Sequence, residues 1–260
     1  MNRGIMRLAA AAMTLALGAT GFAATGAAQS NSEAAKDALT PAQRAAVEAI
    51  VGNVLREHPE IVLDAIRTLQ ERQRAQEQER NNAAFVRYRD EIERDPASPV
   101  AGNPQGDVTV VEFFDYRCTY CKKVFPSIAS LLASDSNVRY VFKEFPILSP
   151  ESETGARAAL AVWQHAPDKY FAFHSRLMAL RGDLTKERIL RVVEDLGIDP
   201  GPVETDMGSP KFSDEIRRNH ELAEALGIRG TPGFVIGGQI VPGAIDLDSL
   251  KQMIADARKG

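Results

Sequence analysis

The sequence of 260 residues is poor in three features that would assign it to common functional classes. It contains two cysteines and four scattered histidines, a poor set for a structural zinc site, which takes about four ligands. Its formal net charge is −4, so it lacks the basic character of nucleic-acid-binding proteins. After Ala24, no segment is long and apolar enough to span a membrane. We therefore expect neither a zinc site nor a nucleic-acid partner.

The first 28 residues have the pattern of a secretory signal peptide. Arg3 and Arg7 form a basic start, residues 8–24 are small and apolar, and small residues precede Gln29. A retained membrane anchor is the alternative, although the alanine-rich segment is short for a full span. We expect an exported protein in an oxidising compartment, with residues 29–39 as a flexible N-terminus.

The two cysteines, Cys118 and Cys121, lie between a predicted strand and a predicted helix. Residues 108–114 are almost wholly apolar, and helical spacing of apolar residues follows the second cysteine. Cys118 then lies at or just before the first helical turn, where free N–H groups and the helix dipole stabilise a thiolate. Cysteines so placed have pKa values lowered from about 8.5 to roughly 3.5–7.5. The pattern predicts a redox-active disulfide, with Cys118 as nucleophile and Cys121 as resolving cysteine.

Two other interpretations of the cysteine pair are open. A purely structural disulfide would close too short a loop to stabilise the fold much. A copper site made of both cysteines and one histidine would need a third ligand nearby, and no His or Met lies beside either cysteine. We expect no bound metal and no cofactor.

A second signal lies near the C-terminus. Thr231 and Pro232 precede a short apolar segment, then Gly237 and Gly238, then a second apolar segment. This pattern predicts a strand, a tight two-residue turn and another strand. A cis Thr231–Pro232 bond is plausible at such a strand start, and an ordinary loop proline is the alternative.

Together, CTYC after an apolar strand and GTPGFVIGG before the last helix resemble the thioredoxin superfamily. VVEFFDYRCTYC, KEFPIL, KYFAFHSRLM and GIRGTPGFVIGG resemble the DsbA-like proteins, in particular the ScsC-like periplasmic oxidoreductases. The resemblance covers roughly Val100 to the C-terminus, and the N-terminal helices are less specifically similar to the stalk of oligomeric ScsC-like members. It implies a periplasmic location, exported client proteins with cysteines, and a membrane redox partner.

The predicted fold class is α/β: a thioredoxin fold with an inserted helical domain, preceded by an N-terminal helical oligomerisation stalk. The 111 positions from Cys121 to Pro232 leave room for that insertion. The predicted divisions are 1–28 signal peptide, 29–39 flexible N-terminus, 40–95 helical stalk and linker, 96–149 thioredoxin fold, 150–212 inserted helices, and 213–260 thioredoxin fold again.

The stalk prediction depends on two apolar stripes. One lies between Val47 and Leu55, after a helix start at Thr40, and the other lies between Ile61 and Leu69. Residues 70–82 are almost wholly polar, which predicts a solvated helix or a flexible connector too polar to pack. Two short helices cannot bury both stripes by themselves, so they pack either on the same chain or on other copies. We expect a homo-oligomer, and the ScsC-like resemblance favours a trimer.

Further residues complete the predicted site. Glu112 lies six residues before Cys118, and its burial would raise its pKa and let it accept a proton; the alternative is a partly solvated, salt-bridged carboxylate. Lys143 is predicted either to interact with that carboxylate or to be an exposed edge charge.

The residues around the dithiol are expected to contact substrate. Thr231 and Pro232 would line the cleft, with the backbone of Thr231 pairing to an extended client segment. Thr119 and Tyr120, between the cysteines, would tune the thiolate and contact the client.

The predicted function is an exported thiol–disulfide oxidoreductase, with the stalk favouring a disulfide isomerase or reductase. A monomeric DsbA-type oxidase is the alternative within the same class. A copper-binding protein and a holdase chaperone are alternatives of other classes.

Overall fold

The computed structural model describes residues 39–259. The predicted signal peptide, residues 1–28, and all but the last residue of the predicted flexible segment lie outside the described residues. Within the described range, no helix is long and apolar enough to cross a membrane. This part of the chain forms two compact units, divided after Gln70.

The first unit consists of helical chain with its apolar residues exposed. Helix α1 (Pro41–Glu57) begins with a capping box, in which Thr40 and Gln43 satisfy each other's backbone N–H groups. No side chain of α1 is buried. The large apolar residues of this unit that are more than a third exposed are Leu39, Val47, Ile50, Val51, Val54, Leu55, Ile61, Val62, Leu63, Ile66 and Leu69. The predicted helix start is confirmed, and the single described chain leaves both stripes exposed.

Helix α2 (Glu60–Glu93) is long and continues through the predicted polar connector. Residues 70–82 are helical, so the alternative of a flexible connector is wrong. The prediction that this segment does not pack is also wrong at its end: Asn81 lies against Gly227, where an added Cβ would come within 3.2 Å of its Oδ1. The backbone leaves helical geometry at Tyr88.

The second unit is built on a five-stranded mixed sheet. Its strands are β1 (Val100–Gly102), β2 (Val108–Phe114), β3 (Val138–Glu144), β4 (Gly233–Ile236) and β5 (Gln239–Pro242). Their order is β1-β3-β2-β4-β5, with β2 and β3 parallel and the other pairs antiparallel. β2 therefore lies in the centre of the sheet, and its carboxyl end presents the segment that holds the cysteines.

The predicted hairpin between β4 and β5 is confirmed. Gly237 and Gly238 both have positive φ angles, +55° and +83°, which the tight two-residue turn requires. A Cβ on Gly238 would lie 3.0 Å from the ring of Phe85, so the end of α2 packs on this turn.

Seven helices surround the sheet: α3 (Thr119–Ser134), α4 (Pro150–His165), α5 (Tyr170–Ala179), α6 (Lys186–Asp195), α7 (Pro200–Met207), α8 (Pro210–Ala225) and α9 (Leu247–Ala257). Helix α7 and strand β1 were not predicted from the sequence. Asp199, which caps α7, and Pro200 at its first position are the local signals for α7. The predicted division at 212/213 falls inside α8.

Alternation along β2 divides the core between the two faces of the sheet. Val110 and Phe114 lie in one apolar cluster with both cysteines, the inner face of α3 and the helices inserted after β3. Val111 and Phe113 lie in the other cluster, with α8 and Ile92 of α2. Because neighbouring strand residues point to opposite faces, the seven residues of β2 serve both clusters.

Both predictions for Lys143 are wrong. Its side chain is fully buried, so it is not an exposed edge charge, and its Nζ donates to the carbonyl of Glu91 at 2.7 Å and to Oδ2 of Asp95 at 3.2 Å. Lys143 pairs with Phe113, the residue after Glu112, so these two charged side chains point to opposite faces of the sheet. Lys143 instead holds the end of α2 against β3.

Asp95→Asn should destabilise the fold because it removes the counter-charge of the buried Lys143. A buried charge that loses its partner costs roughly 3–5 kcal/mol, and since Asp95 is itself 20% exposed, we expect a loss of about 2–3 kcal/mol in the free energy of unfolding. Urea denaturation measures it. Asp214→Asn, which breaks an ion pair with Arg217 in which both side chains are more than half exposed, is the control and should change stability by less than about 1 kcal/mol. Equal losses in the two variants would contradict the prediction.

Candidate active site

The cysteines lie where β2 leads into α3. Cys118 is the N-cap residue of α3, and its Sγ accepts a hydrogen bond from the N–H of Cys121 at 3.4 Å. Cys118 is 5% exposed, whereas Cys121 is fully buried, and both thiols are free. The predicted position of Cys118 at the start of the helix is confirmed. The sulfur of Cys118 is nearer to solvent than that of Cys121.

A buried carboxylate fixes the turn before Cys118. Oδ1 of Asp115 accepts from the N–H of Arg117 at 2.7 Å, and Oδ2 accepts from the N–H groups of Ile147 and Leu148 at 2.9 and 3.1 Å. The active-site turn is thereby tied to the segment that follows β3. Sequence reasoning missed this role; an Asp in a turn suggests the local bond to Arg117, but not the bonds to a segment 32 residues away.

The loop before β4 brings Thr231 to the nucleophile. The Thr231–Pro232 peptide bond is cis, as predicted. The Sγ of Cys118 lies 3.2 Å from the carbonyl oxygen of Thr231, to which it donates when the thiol is protonated. Pro232 is buried and Thr231 is partly exposed. Two segments that are 113 positions apart in sequence therefore form one site.

The contacts around Cys118 stabilise its ionised form. Its pKa is lowered from 9.0 to about 5, chiefly because the Cys121 thiol donates a hydrogen bond to the sulfur. Burial opposes this shift, while the Thr231 side chain and the backbone N–H groups of Cys121 and Tyr120 add to the lowering. Cys118 is therefore a thiolate at neutral pH, the state that reacts with disulfides.

Cys121 is held in the opposite state. Its pKa is raised, first because its proton is shared with the Cys118 sulfur, then by burial and by the negative charge of Glu112. A thiol must lose its proton before it can act as a nucleophile. The site therefore needs a proton acceptor near Cys121.

Glu112 is fully buried on β2, on the face of the sheet that the cysteines cover. Burial raises its pKa from 4.5 to about 8, which confirms the predicted direction and excludes a partly solvated carboxylate. Its Oε2 accepts a hydrogen bond from the hydroxyl of Tyr140 at 2.7 Å, while its Oε1 has no hydrogen-bond partner among the described residues. Tyr140 was missed by sequence reasoning.

The residues between the cysteines face solvent. Thr119 and Tyr120 are exposed, and Tyr120 is 63% exposed despite its large ring. Ile147 and Leu148, which Asp115 joins to the same turn, are also exposed apolar side chains. The cysteine turn and the segment bonded to it therefore carry three exposed large apolar side chains.

A second buried polar cluster lies between the sheet and α5. The hydroxyls of Tyr116 and Tyr170 each lie 3.4 Å from Oε1 of Glu144, and the Tyr116 hydroxyl lies 3.0 Å from Nδ1 of His174. Burial raises the pKa of Glu144 and lowers that of His174 to about 3, so His174 is neutral. The Nε2 of His174 has no hydrogen-bond partner in the described part of the chain.

Two segments of the chain match known protein families. Residues 109–255 match the family described as DSBA-like thioredoxin domain. Residues 43–76 match the family described as Copper resistance protein ScsC N-terminal domain. The first match covers more than half of the chain, including both cysteines and Pro232.

Several known proteins are similar to this chain. Disulfide bond formation protein D of Bacillus subtilis is 27% identical over 172 residues, which are 62% of this chain and 78% of that protein. A thioredoxin-like oxidoreductase of Silicibacter pomeroyi has 42% sequence identity and a TM-score of 0.63, covering 66% of this chain and 98% of its own. A linker-deletion mutant of Proteus mirabilis ScsC has 29% identity and a TM-score of 0.64, covering 85% and 97%.

Some curated relatives are much longer proteins. Na(+)/H(+) antiporter NhaA 1 of Salinispora arenicola is 27% identical over 163 residues, but this chain spans only 25% of its length. The similarity therefore concerns one part of that protein.

Cys118 should titrate well below an ordinary thiol. Because Cys121 and the helix start stabilise the thiolate, the ultraviolet thiolate absorbance of the reduced protein should rise with a midpoint near pH 5. Cys118→Ser should abolish this transition, and iodoacetamide should label Cys118 before Cys121. A midpoint at or above about 8.5 would contradict the assignment.

Glu112→Gln should change how stability depends on pH. Because its folded-state pKa lies near 8 rather than 4.5, Glu112 retains a proton in the folded protein that the unfolded chain has released. Its contribution to stability is therefore complete below pH 4.5 and is lost as the pH rises toward 8. Relative to Glu112→Gln, the oxidised wild-type protein should lose stability by up to about 1.4 kcal/mol per pH unit across this window.

Urea denaturation at several pH values measures this difference. Glu221→Gln, at a side chain that is 61% exposed, is the matched control, and its difference from wild type should stay constant with pH. If the wild-type protein and Glu112→Gln lose stability in parallel, the raised pKa is wrong.

Proposed function

This chain belongs to the DSBA-like thioredoxin domain family, and on that basis we propose that it is an exported thiol–disulfide oxidoreductase that isomerises or reduces disulfides of client proteins. The observation that carries the proposal is the arrangement around Cys118: a thiolate at a helix start, bonded to Cys121 and in contact with Thr231. A cysteine pair kept in two different protonation states is suited to making and breaking disulfides.

The exchange proceeds in two steps. The Cys118 thiolate attacks a client disulfide, a mixed disulfide forms, and one client sulfur leaves as a thiolate. Glu112 then accepts the proton of Cys121, and Cys121 attacks the Cys118 sulfur. The Cys118–Cys121 disulfide forms and the second client sulfur leaves, so the client is reduced and the protein is oxidised. The reverse sequence oxidises a client.

The client would bind along the surface that contains both halves of the site. An extended client segment could pair with the backbone of Thr231 beside Pro232, as strand addition at a sheet edge does in other complexes. The exposed side chains of Thr119 and Tyr120 would contact residues next to the client cysteine. Clients would be exported proteins with cysteines, and a membrane protein would restore the redox state of the dithiol.

The N-terminal sequence supports the proposed periplasmic location. Residues 1–28 have the composition of a secretory signal, and a periplasmic protein meets clients in an oxidising compartment, where disulfides persist. Export would place the dithiol where exchange is needed.

We also propose that the stalk holds copies of the chain together. The apolar residues of α1 and of residues 60–69 are exposed in the single chain. Contact with other copies would remove this surface from water, which stabilises association by roughly 25 cal/mol per Å² of apolar surface. Two or three copies, with three favoured, would place several dithiols around one client, which suits isomerisation because a wrong disulfide must be held while it is attacked. The match of residues 43–76 to the ScsC N-terminal domain supports this assignment.

A disulfide oxidase is the second candidate, and the low pKa of Cys118 favours it. Stabilising the thiolate stabilises the reduced protein, and its disulfide then becomes a stronger oxidant. An oxidase can act as a monomer and needs no stalk. An isomerase whose several sites contact one client at the same time needs the stalk to hold the copies together.

Two functions of other classes are separated by simple tests. A copper protein would use the sulfurs of Cys118 and Cys121 as ligands, although among residues 39–259 no three His, Cys, Asp or Glu side chains are grouped to hold a metal. A holdase chaperone would keep its activity in the double variant Cys118→Ser, Cys121→Ser, whereas an oxidoreductase would lose it.

Recovery of ribonuclease activity tests whether the protein isomerises or oxidises disulfides, and whether isomerisation requires oligomerisation through the stalk. The mature protein should reactivate scrambled ribonuclease and have the molar mass of an oligomer by light scattering. Ile50→Glu with Ile66→Glu places two charges on the exposed apolar residues and should give a monomer. That variant should retain exchange with a small disulfide and lose most repair of scrambled ribonuclease.

Gln73→Glu, an added charge at an exposed polar position of α2, is the matched control and should leave mass and repair unchanged. If the wild-type protein is a monomer at micromolar concentration and oxidises reduced ribonuclease without repairing the scrambled form, the oxidase is the correct function.

A further inference from the structure

We propose that Tyr140 is a positioning residue for the exchange reaction: its hydroxyl holds Glu112 so that one carboxylate oxygen is left to accept the proton of Cys121. The proposal rests on the thiol–disulfide exchange proposed above and deepens the role of its proton acceptor. Tyr140 touches neither sulfur through a hydrogen bond in the described structure; it acts through Glu112.

The sheet register brings the two side chains together. Tyr140 on β3 pairs with Val110 on β2, two residues before Glu112. Alternation places Val110 and Glu112 on the same face, so the tyrosine reaches the carboxylate diagonally across the two strands. The oxygen-to-oxygen distance is 2.7 Å, and both side chains are fully buried.

The two oxygens of Glu112 are in different environments. Oε2 accepts the Tyr140 hydroxyl, and Oε1, although buried, has no partner among the described residues. The Tyr140 ring is itself held by Phe142, with ring centroids 4.9 Å apart. An anchored ring therefore fixes one carboxylate oxygen and leaves the other available, which an unanchored glutamate would not do reliably.

The hydroxyl also counteracts burial. Desolvation raises the pKa of Glu112 and the Tyr140 hydrogen bond lowers it, because the bond favours the ionised carboxylate. Without this bond, the carboxyl group would hold its proton to higher pH and would be a poor acceptor near neutrality. Tyr140 thus keeps the acceptor usable in a site that excludes water.

Other titratable groups lie around Glu112, and of these Cys118 contributes to its raised pKa. Cys118 and Cys121 approach it from α3, Glu144 from the end of β3, and Tyr170 from α5. In the described structure, none of these groups donates a hydrogen bond to the Glu112 carboxylate, whereas Tyr140 does. A test must therefore separate the hydroxyl from the charges around it.

The step that Tyr140 supports is the second half of the exchange. In the mixed disulfide, the proton of Cys121 passes to Oε1 of Glu112, and the Cys121 sulfur attacks the Cys118 sulfur. A Cys121–Cys118 bond forms, the bond from Cys118 to the client sulfur breaks, and the client leaves with the electron pair as a thiolate.

Tyr140→Phe removes the hydroxyl and keeps the ring. The reduced protein is mixed with 5,5′-dithiobis(2-nitrobenzoate), which releases one coloured thiolate when Cys118 attacks and a second when Cys121 resolves the mixed disulfide. In Tyr140→Phe, the first release should keep the wild-type rate and pH profile. The midpoint of the second release should move up by about one to two pH units, the size expected for losing a hydrogen bond to a charged group.

Two controls isolate the hydroxyl. Tyr170→Phe removes another buried tyrosine hydroxyl, one that lies near Glu144, and should leave both midpoints unchanged. Glu112→Gln should remove this midpoint from the second release, and adding Tyr140→Phe to it should have no further effect on that release. An additional effect in the double variant would show that Tyr140 acts through another group and would overturn the proposal.

A measurement on the wild-type protein keeps the proposal testable if Tyr140→Phe does not fold. With tyrosine labelled by ¹³C at Cζ, one of the five resonances should titrate with the Glu112 midpoint and lose that titration in Glu112→Gln. If no tyrosine resonance titrates in this way, the proposal is overturned.

The outcomes also distinguish the proposal from the function on which it rests. If the first coloured thiolate is not released in the wild-type protein, the dithiol function fails. If both releases occur and Tyr140→Phe has the wild-type midpoint for the second, the function stands and the role of Tyr140 is refuted.

Discussion

A cysteine sulfur at the start of a helix is the interaction on which the site depends. In α1, α4 and α6, the corresponding cap is a hydroxyl oxygen, from Thr40, Ser149 and Thr185. In α3 the cap is the sulfur of Cys118, which accepts the same type of backbone bond and is also reactive. The free N–H groups at that helix start therefore favour the thiolate, so that helix geometry and redox chemistry are linked.

The alternation of side chains in the central strands places a buried ionisable side chain, Glu112 or Lys143, on each face of the sheet. On the face toward the dithiol, Glu112 meets Tyr140; on the other, Lys143 meets Asp95. Buried polar groups are costly unless they are hydrogen-bonded, and both pairs satisfy this condition at least in part. The incomplete satisfaction is on Glu112, where one oxygen is free for chemistry. The bonds of Lys143, by contrast, fasten the end of α2 to β3.

The two units of the chain differ in what they bury. Residues 71–259 place their apolar side chains in two clusters on opposite faces of the sheet. In residues 39–70, the large apolar side chains are exposed. Contact with another surface would remove this apolar area from water and stabilise the unit, which is the physical basis for the proposal that it self-associates.

The sequence by itself determined the features that are encoded locally. These are the helix starts at Thr40 and Cys118, the glycine turn of the hairpin, and the apolar strand that leads to the dithiol. Each depends on residues within a few positions of one another, where capping, turn geometry and periodicity act directly. For Glu112, the sequence left a buried and a partly solvated carboxylate as alternatives, and only the structure showed that it is buried with a raised pKa.

The tertiary structure decided which distant side chains meet. Strand order and register bring together the hydrogen-bonded side chains of Tyr140 and Glu112. They also set the bonds from Ile147 and Leu148 to Asp115 and the contact of the buried Lys143 with Asp95. Strand β1 belongs to the same class, since its three residues are ordered by pairing with β3 rather than by their own pattern. Because side chains alternate along a strand, the sequence shows which residues of β2 share a face. Only the pairing of β2 with β3 sets which residues lie opposite them, and a shift of one residue in that register would move each side chain to the other face.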